Sequence, residues 1–204
     1  MIKTYEEAKN KLLTFSLDEE CQSFFEKNNY LQELAYCKVF AGKPAEAENL
    51  FTEISDLNPR ARWGCKLTGI LLNKPVHYPT YFELRNFLEV DLNLLINYDK
   101  GNYADEILSY ADSFYSVNPE VYKYIGRVFL NNEVYSYAKF FLERAKNRFY
   151  HDPELHVILA QLAILEEDYE RALKAVDACL EILPEYFPAK DLKRKLTKSD
   201  LKFD

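Results

Sequence analysis

The stretch EEDYERALKAVDACLEILP, Glu166–Pro184, decides the fold of this chain. It opens with a polar break, carries an aromatic residue at Tyr169 and small residues at Ala172 and Cys179, and ends at a proline. Proline stops a helix because it has no amide hydrogen to donate. Small side chains on a helix let a neighbouring helix approach closely. The stretch therefore predicts a helix that packs tightly against its neighbours and ends abruptly.

The same pattern occurs one repeat earlier in the chain. A shift by 34 residues places the stretch on NEVYSYAKFFLERAKNRFY, Asn132–Tyr150, with Tyr169 on Tyr135 and Ala172 on Ala138. Only five of the 34 residue pairs in the two units are identical, so the repeat rests on residue class at spaced positions. A period of this length is typical of stacked helical repeats.

Composition limits the class of protein. The chain has 204 residues, of which 48% are hydrophobic and 29% charged, so it can bury a core and is not a disordered chain. A net charge of −7 disfavours nucleic acid as a partner, because phosphates are bound by clustered Lys and Arg.

Hydropathy and cysteine usage bear on location. The first residues lack the continuous apolar segment of a signal peptide. The longest apolar run, Val157–Leu165, is interrupted by Gln161 and is too short to cross a bilayer, so we expect no membrane insertion. The four cysteines form no CxxC motif and are expected to be buried free thiols. The expected location is the cytoplasm.

Helix-start signals recur along the chain. Asn58, Asn118 and Asp152 are predicted N-caps, each followed by a proline that suits the first helical position. Apolar residues between these signals recur at spacings of three and four, which predicts helices and no strands. The fold class is all-α. We predict helices near 4–15, 17–27, 29–41, 44–57, 59–73, 79–98, 102–117, 119–131, 134–149, 153–166, 168–182 and 185–197.

The last two units resemble the tetratricopeptide repeat (TPR), a 34-residue helix–turn–helix with small and aromatic residues at fixed places. The match is best in residues 119–186, although His156 and Ala163 stand where the family has large aromatics. In the first unit the pattern is carried by Tyr122, Ile125, Gly126, Phe129, Tyr135, Ala138, Leu142 and Ala145. In the second unit it is carried by His156, Leu159, Ala160, Ala163, Tyr169, Ala172, Val176, Cys179 and Pro184. The resemblance implies antiparallel helix pairs stacked as a right-handed superhelical solenoid with a C-terminal capping helix.

The domain organisation follows from weaker copies upstream. Residues 1–73 are predicted to hold N-terminal helices with one or two degenerate TPR-like units. Two prolines interrupt the chain at 74–79, which we interpret as an irregular joint. TPR-like repeats follow over 80–184, and 185–204 is predicted to be the capping helix and tail. One continuous solenoid is favoured over two independent domains.

No sequence motif indicates catalysis. The chain has no phosphate-binding glycine loop and no GxSxG, and its three histidines lack metal-ligand spacing. His151 and His156 are five residues apart and do not share a helix face well. We therefore expect no enzyme activity, no metal and no cofactor.

The resemblance places a binding surface on the first helix of each pair, which lines the concave face in this family. The positions it implies for partner binding are Gln32, Tyr36, Phe40, Lys123, Arg127, Asn131, Val157 and Gln161. They do not reproduce the Lys/Asn set with which the family's chaperone-tail binders hold a terminal carboxylate. We expect an adaptor or scaffold that binds a peptide segment or helix of a partner protein. The alternatives are a small acidic TPR chaperone of secreted proteins and a helical-repeat nucleic-acid binder, which the net charge opposes.

Overall fold

The computed structural model describes residues 2–56, 58–148 and 150–199. Within these ranges all regular secondary structure is helical and there is no strand, which confirms the predicted all-α fold. The helices are α1 (Tyr5–Leu13), α2 (Glu19–Lys27), α3 (Leu31–Phe40), α4 (Pro44–Ile54), α5 (Pro59–Leu71), α6 (Tyr81–Asn97), α7 (Gly101–Ser109), α8 (Ala111–Val117), α9 (Val121–Asn131), α10 (Tyr135–Arg148), α11 (Pro153–Leu165), α12 (Tyr169–Ile182) and α13 (Phe187–Ser199). None of the helices in this part of the chain combines the length and the apolar character needed to cross a membrane.

Two of the three predicted helix caps are confirmed. The side chains of Asn58 and Asp152 each accept two backbone N–H bonds from the first turns of α5 and α11, which both begin at a proline. The predicted cap at Asn118 is wrong. Helix α9 begins at Val121, and its N-cap residue Glu120 makes no side-chain capping bond. Asn118 instead ends α8.

The predicted single helix over 102–117 is wrong, because the helix is interrupted at Tyr110 and divides into α7 and α8. The Tyr110 amide donates to the carbonyl of Ile107, three residues back, so the helical ladder tightens at this point. The Tyr110 ring stacks on Phe114, whose side chain is fully buried. Burial of Phe114 thus accompanies a break that no glycine or proline marks in the sequence.

The chain divides into two compact units, Met1–Asn118 and Pro119–Asp204. The segment 74–79, which sequence analysis interprets as a joint, lies inside the first unit and forms no helix. Val76 packs so closely on Gly69 of α5 that a side chain at Gly69 would collide with it. A domain boundary at this segment stays a prediction.

In the first unit, neighbouring helices pack on one another along the chain: α1 on α2, α2 on α3, α3 on α4 and α4 on α5. Helix α5 also contacts α3, α6 and α7. A Cβ at Gly64 would lie 2.6 Å from the Phe51 ring, so glycine allows α5 to approach α4. The buried side chains include Trp63, Phe51 and Phe114. This packing places α3, α5 and α6 side by side around the site described below.

The second unit has a repeated geometry. Helix α9 packs on α10 and α11 packs on α12, each pair joined by a short turn. Helices α10 and α12 begin 34 residues apart, at Tyr135 and Tyr169. The turns before them hold Glu133 and Glu167 at the same place, with φ of 61° and 58°. The sequence period is therefore repeated in the start of the second helix of each pair and in the backbone conformation of the turn before it.

Small residues bring the helices of each pair together, as predicted. A Cβ at Gly126 of α9 would lie 2.6 Å from Leu142 Cγ of α10 and 3.2 Å from the Leu142 amide nitrogen. In the next pair Ala160 of α11 and Ala172 of α12 are fully buried in one apolar cluster. Helix α13 packs on α12 and adds Ala189 and Leu196 to this cluster, and its role as a capping helix stays a prediction. The predicted tail beyond it, 200–204, lies outside the described residues.

Candidate functional site

The three candidate binding residues on α3 differ in accessibility. Phe40 is 7% exposed and stacks on Tyr98, with 4.2 Å between ring centroids, so it belongs to the core. Tyr36 is also buried, whereas Gln32 is half-buried. Gln32 and Tyr36 both border an open cleft, and Phe40 does not line it. The structure thus brings two of the three residues to one cavity.

This cavity, the Arg60 cleft, has a volume of about 190 Å³ and lies between α1, α3, α5 and α6. Its lining is mostly apolar and includes Leu13 and Val90, which are 46% and 44% exposed. Gln32, Tyr36 and Arg60 supply polar groups to the same cleft. The Arg60 cleft is lined by Gln32, Glu33, Tyr36, Arg60, Asn86, Phe87, Val90 and Leu94, together with residues of α1.

The Arg60 guanidinium lies between two aromatic rings. Its carbon is 4.8 Å from the Tyr36 ring centroid and 4.7 Å from the Phe87 centroid, a geometry that favours cation–π attraction. One nitrogen donates to the carboxylate of Asp91. The side chain is 17% exposed. Because a guanidinium carries five N–H donors, Arg60 keeps donors for a ligand in the cleft.

Asp91 of α6 holds this arrangement together. It is 1% exposed and accepts hydrogen bonds from Arg60, from the Trp63 indole nitrogen and, at 3.1 Å, from the Tyr36 hydroxyl. Burial raises the pKa of Asp91, and the positive charge of Arg60 opposes this shift. Burial also raises the pKa of Tyr36 well above its ordinary value, so its hydroxyl keeps the proton that it donates. The network ties α3, α5 and α6 to one another.

A second cavity, the acidic groove, lies where α3 begins and α4 ends and has a volume of about 770 Å³. It shares Gln32 and Glu33 with the Arg60 cleft, so the two cavities are neighbours at the start of α3. Its described lining contains three carboxylates and two tyrosine rings and no lysine or arginine. The acidic groove is lined by Tyr5, Tyr30, Glu33, Glu53, Asp56 and Asn58, together with neighbouring residues of the same helix ends.

Lys123 of α9, implied to lie on an open groove, is 4% exposed. Its ammonium nitrogen lies 2.6 Å from Asp152, 2.8 Å from Glu154 and 3.0 Å from Glu120. Burial lowers the pKa of Lys123, but the hydrogen bonds to these three carboxylates outweigh burial and raise it overall. Arg127 also pairs with Glu154. Both cations therefore tie α9 to the start of α11.

The remaining candidate residues also divide by burial. Val157 is 8% exposed and contributes to the apolar cluster shared by α11, α12 and α13. Asn131 and Gln161 are exposed. A partner-binding role for the residues of the second unit stays a prediction.

One cavity of the second unit is bordered by titratable side chains, several of which bond within the protein. This cavity of about 240 Å³ includes His156, whose Nε2 lies 2.7 Å from the carbonyl oxygen of Tyr150. Two cations at this cavity, Arg171 and Lys174, form ion pairs with glutamates of the same unit. Across residues 2–56, 58–148 and 150–199 no three His, Cys, Asp or Glu side chains gather where they could hold a metal ion. Burial raises the pKa of all four cysteine thiols, which disfavours the reactive thiolate.

Sequence reasoning missed Asp91, Arg60 and Glu33. One signal was present for Asp91, which lies in α6 between Leu88 and Leu95 at spacings of three and four. A single acid within an apolar helical stripe indicates a buried charge with a partner. No comparable signal marks Arg60 or Glu33, because the contacts that bury them come from other helices.

No protein-family model matches the chain, and no curated protein sequence matches it.

Proposed function

We propose that this chain is a TPR-like helical-repeat protein that acts as a protein–protein interaction adaptor. In this proposal it binds a peptide segment or helix of a partner protein in the first unit. The observation that carries the proposal is the Arg60 cleft, which adjoins the acidic groove along one face of α3. A cavity with a mostly apolar lining and a few fixed polar groups can accept an apolar side chain of a peptide.

The repeat assignment is supported by the second unit. Helix starts 34 residues apart, at Tyr135 and Tyr169, agree with the period of the resembled family. The close approach at Gly126 agrees with the family's requirement for a small residue there. Repeats of this type bury their apolar faces by stacking and leave side chains of the first helices available for partners.

The chemistry of the Arg60 cleft fits a peptide. An apolar side chain of the partner would cover Leu13 and Val90, which are exposed in the free protein. Burial of such surface contributes about 25 cal/mol per Å² to binding. Arg60 and Gln32 can donate hydrogen bonds to peptide carbonyl groups. Because Arg60 is already held by Asp91 and two rings, little side-chain entropy is lost when it binds.

The cations of the second unit are less suited to this role. Lys123 is buried among three carboxylates, so a ligand would have to displace an internal ion pair before it could bind there. We therefore assign binding to Gln32 and Tyr36 among the positions implied by the resemblance.

Selection from a phage-displayed library of random peptides tests the proposal. The wild-type chain should enrich a family of peptides, and Val90→Arg should weaken them at least about tenfold by filling the cleft with a charge. The matched control is Leu165→Arg in the second unit, where a leucine is 51% exposed. It should leave binding unchanged. Melting temperatures verify that both variants fold.

Two results would contradict the proposal. One is a selection that enriches no peptide. The other is a family of peptides that binds Val90→Arg and Leu165→Arg equally well, because such peptides would not use the cleft.

A further inference from the structure

The acidic groove contains carboxylates that have no cationic partner within the part of the chain that the structure describes. Among the residues that the structure describes, no lysine or arginine forms an ion pair with Glu33, Glu53 or Asp56. Arg62 is close to Asp56 but donates to backbone carbonyl oxygens. Most other partly buried carboxylates of this unit are paired, as Glu83 is with Lys66.

Glu33 is the most unusual of the three because it is 7% exposed. Its Oε1 accepts hydrogen bonds from the Tyr5 hydroxyl at 2.8 Å and from Gln32 Nε2 at 3.2 Å. No described residue donates to Oε2, and this oxygen is not sealed from solvent. A carboxylate that keeps little contact with water and has no cation beside it is costly. A positive group in the groove would offset that cost.

Aromatic rings border the same carboxylate. Tyr5 and Tyr30 have ring centroids 4.8 Å apart, and Tyr30 also stacks on Phe24 at 6.0 Å, so these rings are held in place. A guanidinium or ammonium beside a tyrosine face gains cation–π attraction. Lys9 already lies over the Tyr5 ring, 5.3 Å from its centroid, and forms no ion pair with Glu33.

We propose that the acidic groove docks a basic segment of a partner protein, with an arginine or lysine side chain that pairs with Glu33. Exposed Glu53 and Asp56 attract a second positive charge of the same segment. This inference rests on the proposed function and specifies the charge of the peptide. It assigns the cationic residue to the groove and the neighbouring apolar residue to the Arg60 cleft, since the two cavities meet at Gln32 and Glu33.

Fluorescence polarisation with two labelled octapeptides tests this inference at an ionic strength of about 50 mM, where charge interactions are weakly screened. One probe alternates leucine with arginine and the other alternates leucine with glutamate. Because the whole chain has a net charge of −7, the arginine probe can also bind non-specifically. Matched charge-removing variants in the second unit control for this. Glu181→Gln is the control for Glu33→Gln, and the pair Glu167→Gln with Glu181→Gln is the control for Glu53→Gln with Asp56→Asn.

The expected result is that only the arginine probe binds tightly. Glu33→Gln should weaken binding of the arginine probe about tenfold or more, because the charge-assisted bond between the probe and Glu33 is lost. The amide oxygen of glutamine can still accept the hydrogen bond from Tyr5. The double variant Glu53→Gln with Asp56→Asn should also weaken binding of the arginine probe. Both of its positions are exposed, so this result does not depend on a change at a buried residue. Both second-unit controls should bind as the wild type does.

The inference is overturned if the groove variants bind the arginine probe no more weakly than their controls, since attraction would then come from net charge alone. It is also overturned if the glutamate probe binds as tightly as the arginine probe. If peptides selected by phage display still depend on Val90 in either case, the adaptor proposal stands and only the basic segment is refuted. If none of them depends on Val90, the adaptor proposal fails as well.

Discussion

Replacement of Asp91 by asparagine should destabilise the first unit strongly. In the wild type, Asp91 Oδ1 accepts from Arg60, and Oδ2 accepts from Trp63 and Tyr36. Asparagine has nearly the same shape but replaces one oxygen by an NH₂ group. Either orientation of the amide sets that group against a donor, and either one leaves Arg60 without a countercharge. The variant therefore tests the charge with little change in volume.

The expected loss follows from burial. Removal of one partner of a buried ion pair costs about 3–5 kcal/mol. Asp91 is 1% exposed, but Arg60 is 17% exposed and keeps some contact with water. The lower end, about 3 kcal/mol, is therefore expected. With a typical urea dependence this corresponds to a midpoint lower by about 1–2 M. Tyr36→Phe removes one neutral donor and should cost only about 1 kcal/mol.

Urea unfolding followed by tryptophan fluorescence is the direct assay. The chain has one tryptophan, and Trp63 donates to Asp91 itself, so its emission reports the first unit. Asp105→Asn on the exposed side of α7 is the control and should change stability by less than about 0.5 kcal/mol. A loss below about 1 kcal/mol for Asp91→Asn, or one equal to that of Tyr36→Phe, would refute a structural role for the buried charge.

Two further predictions concern the second unit. Gly126→Ala should cost about 1–3 kcal/mol of unfolding free energy despite the better helix propensity of alanine, because the new methyl group collides with Leu142. Gly101→Ala is the control and should be neutral or stabilising, because nothing lies within 4 Å of the added Cβ. Equal effects of Gly126→Ala and Gly101→Ala on thermal unfolding would contradict this account. Burial raises the pKa of Glu154, but the hydrogen bond and charge of Lys123 outweigh burial and lower this pKa overall. The ionised Glu154 therefore stabilises the fold above about pH 4.3, the ordinary pKa of glutamate. This stabilisation is lost as the pH falls through the folded-state pKa. Urea unfolding at pH 7 and at about pH 3.5 measures how much unfolding free energy is lost on acidification, and Glu154→Gln should lose less than the wild type. An identical loss in both proteins would show that other carboxylates dominate the pH dependence.

Helix positions could be predicted because their signals are local. The caps at Asn58 and Asp152 bond to amides within three residues, and the 34-residue spacing of Tyr135 and Tyr169 reappears in the helix boundaries. The local signals failed at Tyr110, where a helix breaks without a glycine or proline. The pattern Asn-Pro also failed at Asn118, where it marks the end of α8 and not the start of α9.

The candidate site could be predicted only in part. Gln32 and Tyr36 both lie on α3 and border the Arg60 cleft, and their role in partner binding stays a prediction. The side chain that gives the cleft its charge, Arg60, was missed because its partner Asp91 is 31 residues away in sequence. Lys123 was expected at an open groove, whereas Asp152, 29 residues away, helps to bury it.

By itself the sequence determined that this chain is helical, where most of its helices begin and end, and which residues repeat with a period of 34. These properties depend on hydrogen bonds and side-chain contacts within one or two turns, so a short window of residues contains them. The tertiary structure alone decided which charged side chains became internal, as Asp91 and Lys123 did. It also decided which carboxylates, such as Glu33, have no cation beside them among the described residues. Burial and pairing depend on the packing of helices that are distant in sequence, because desolvation makes an internal charge costly unless another helix supplies its partner.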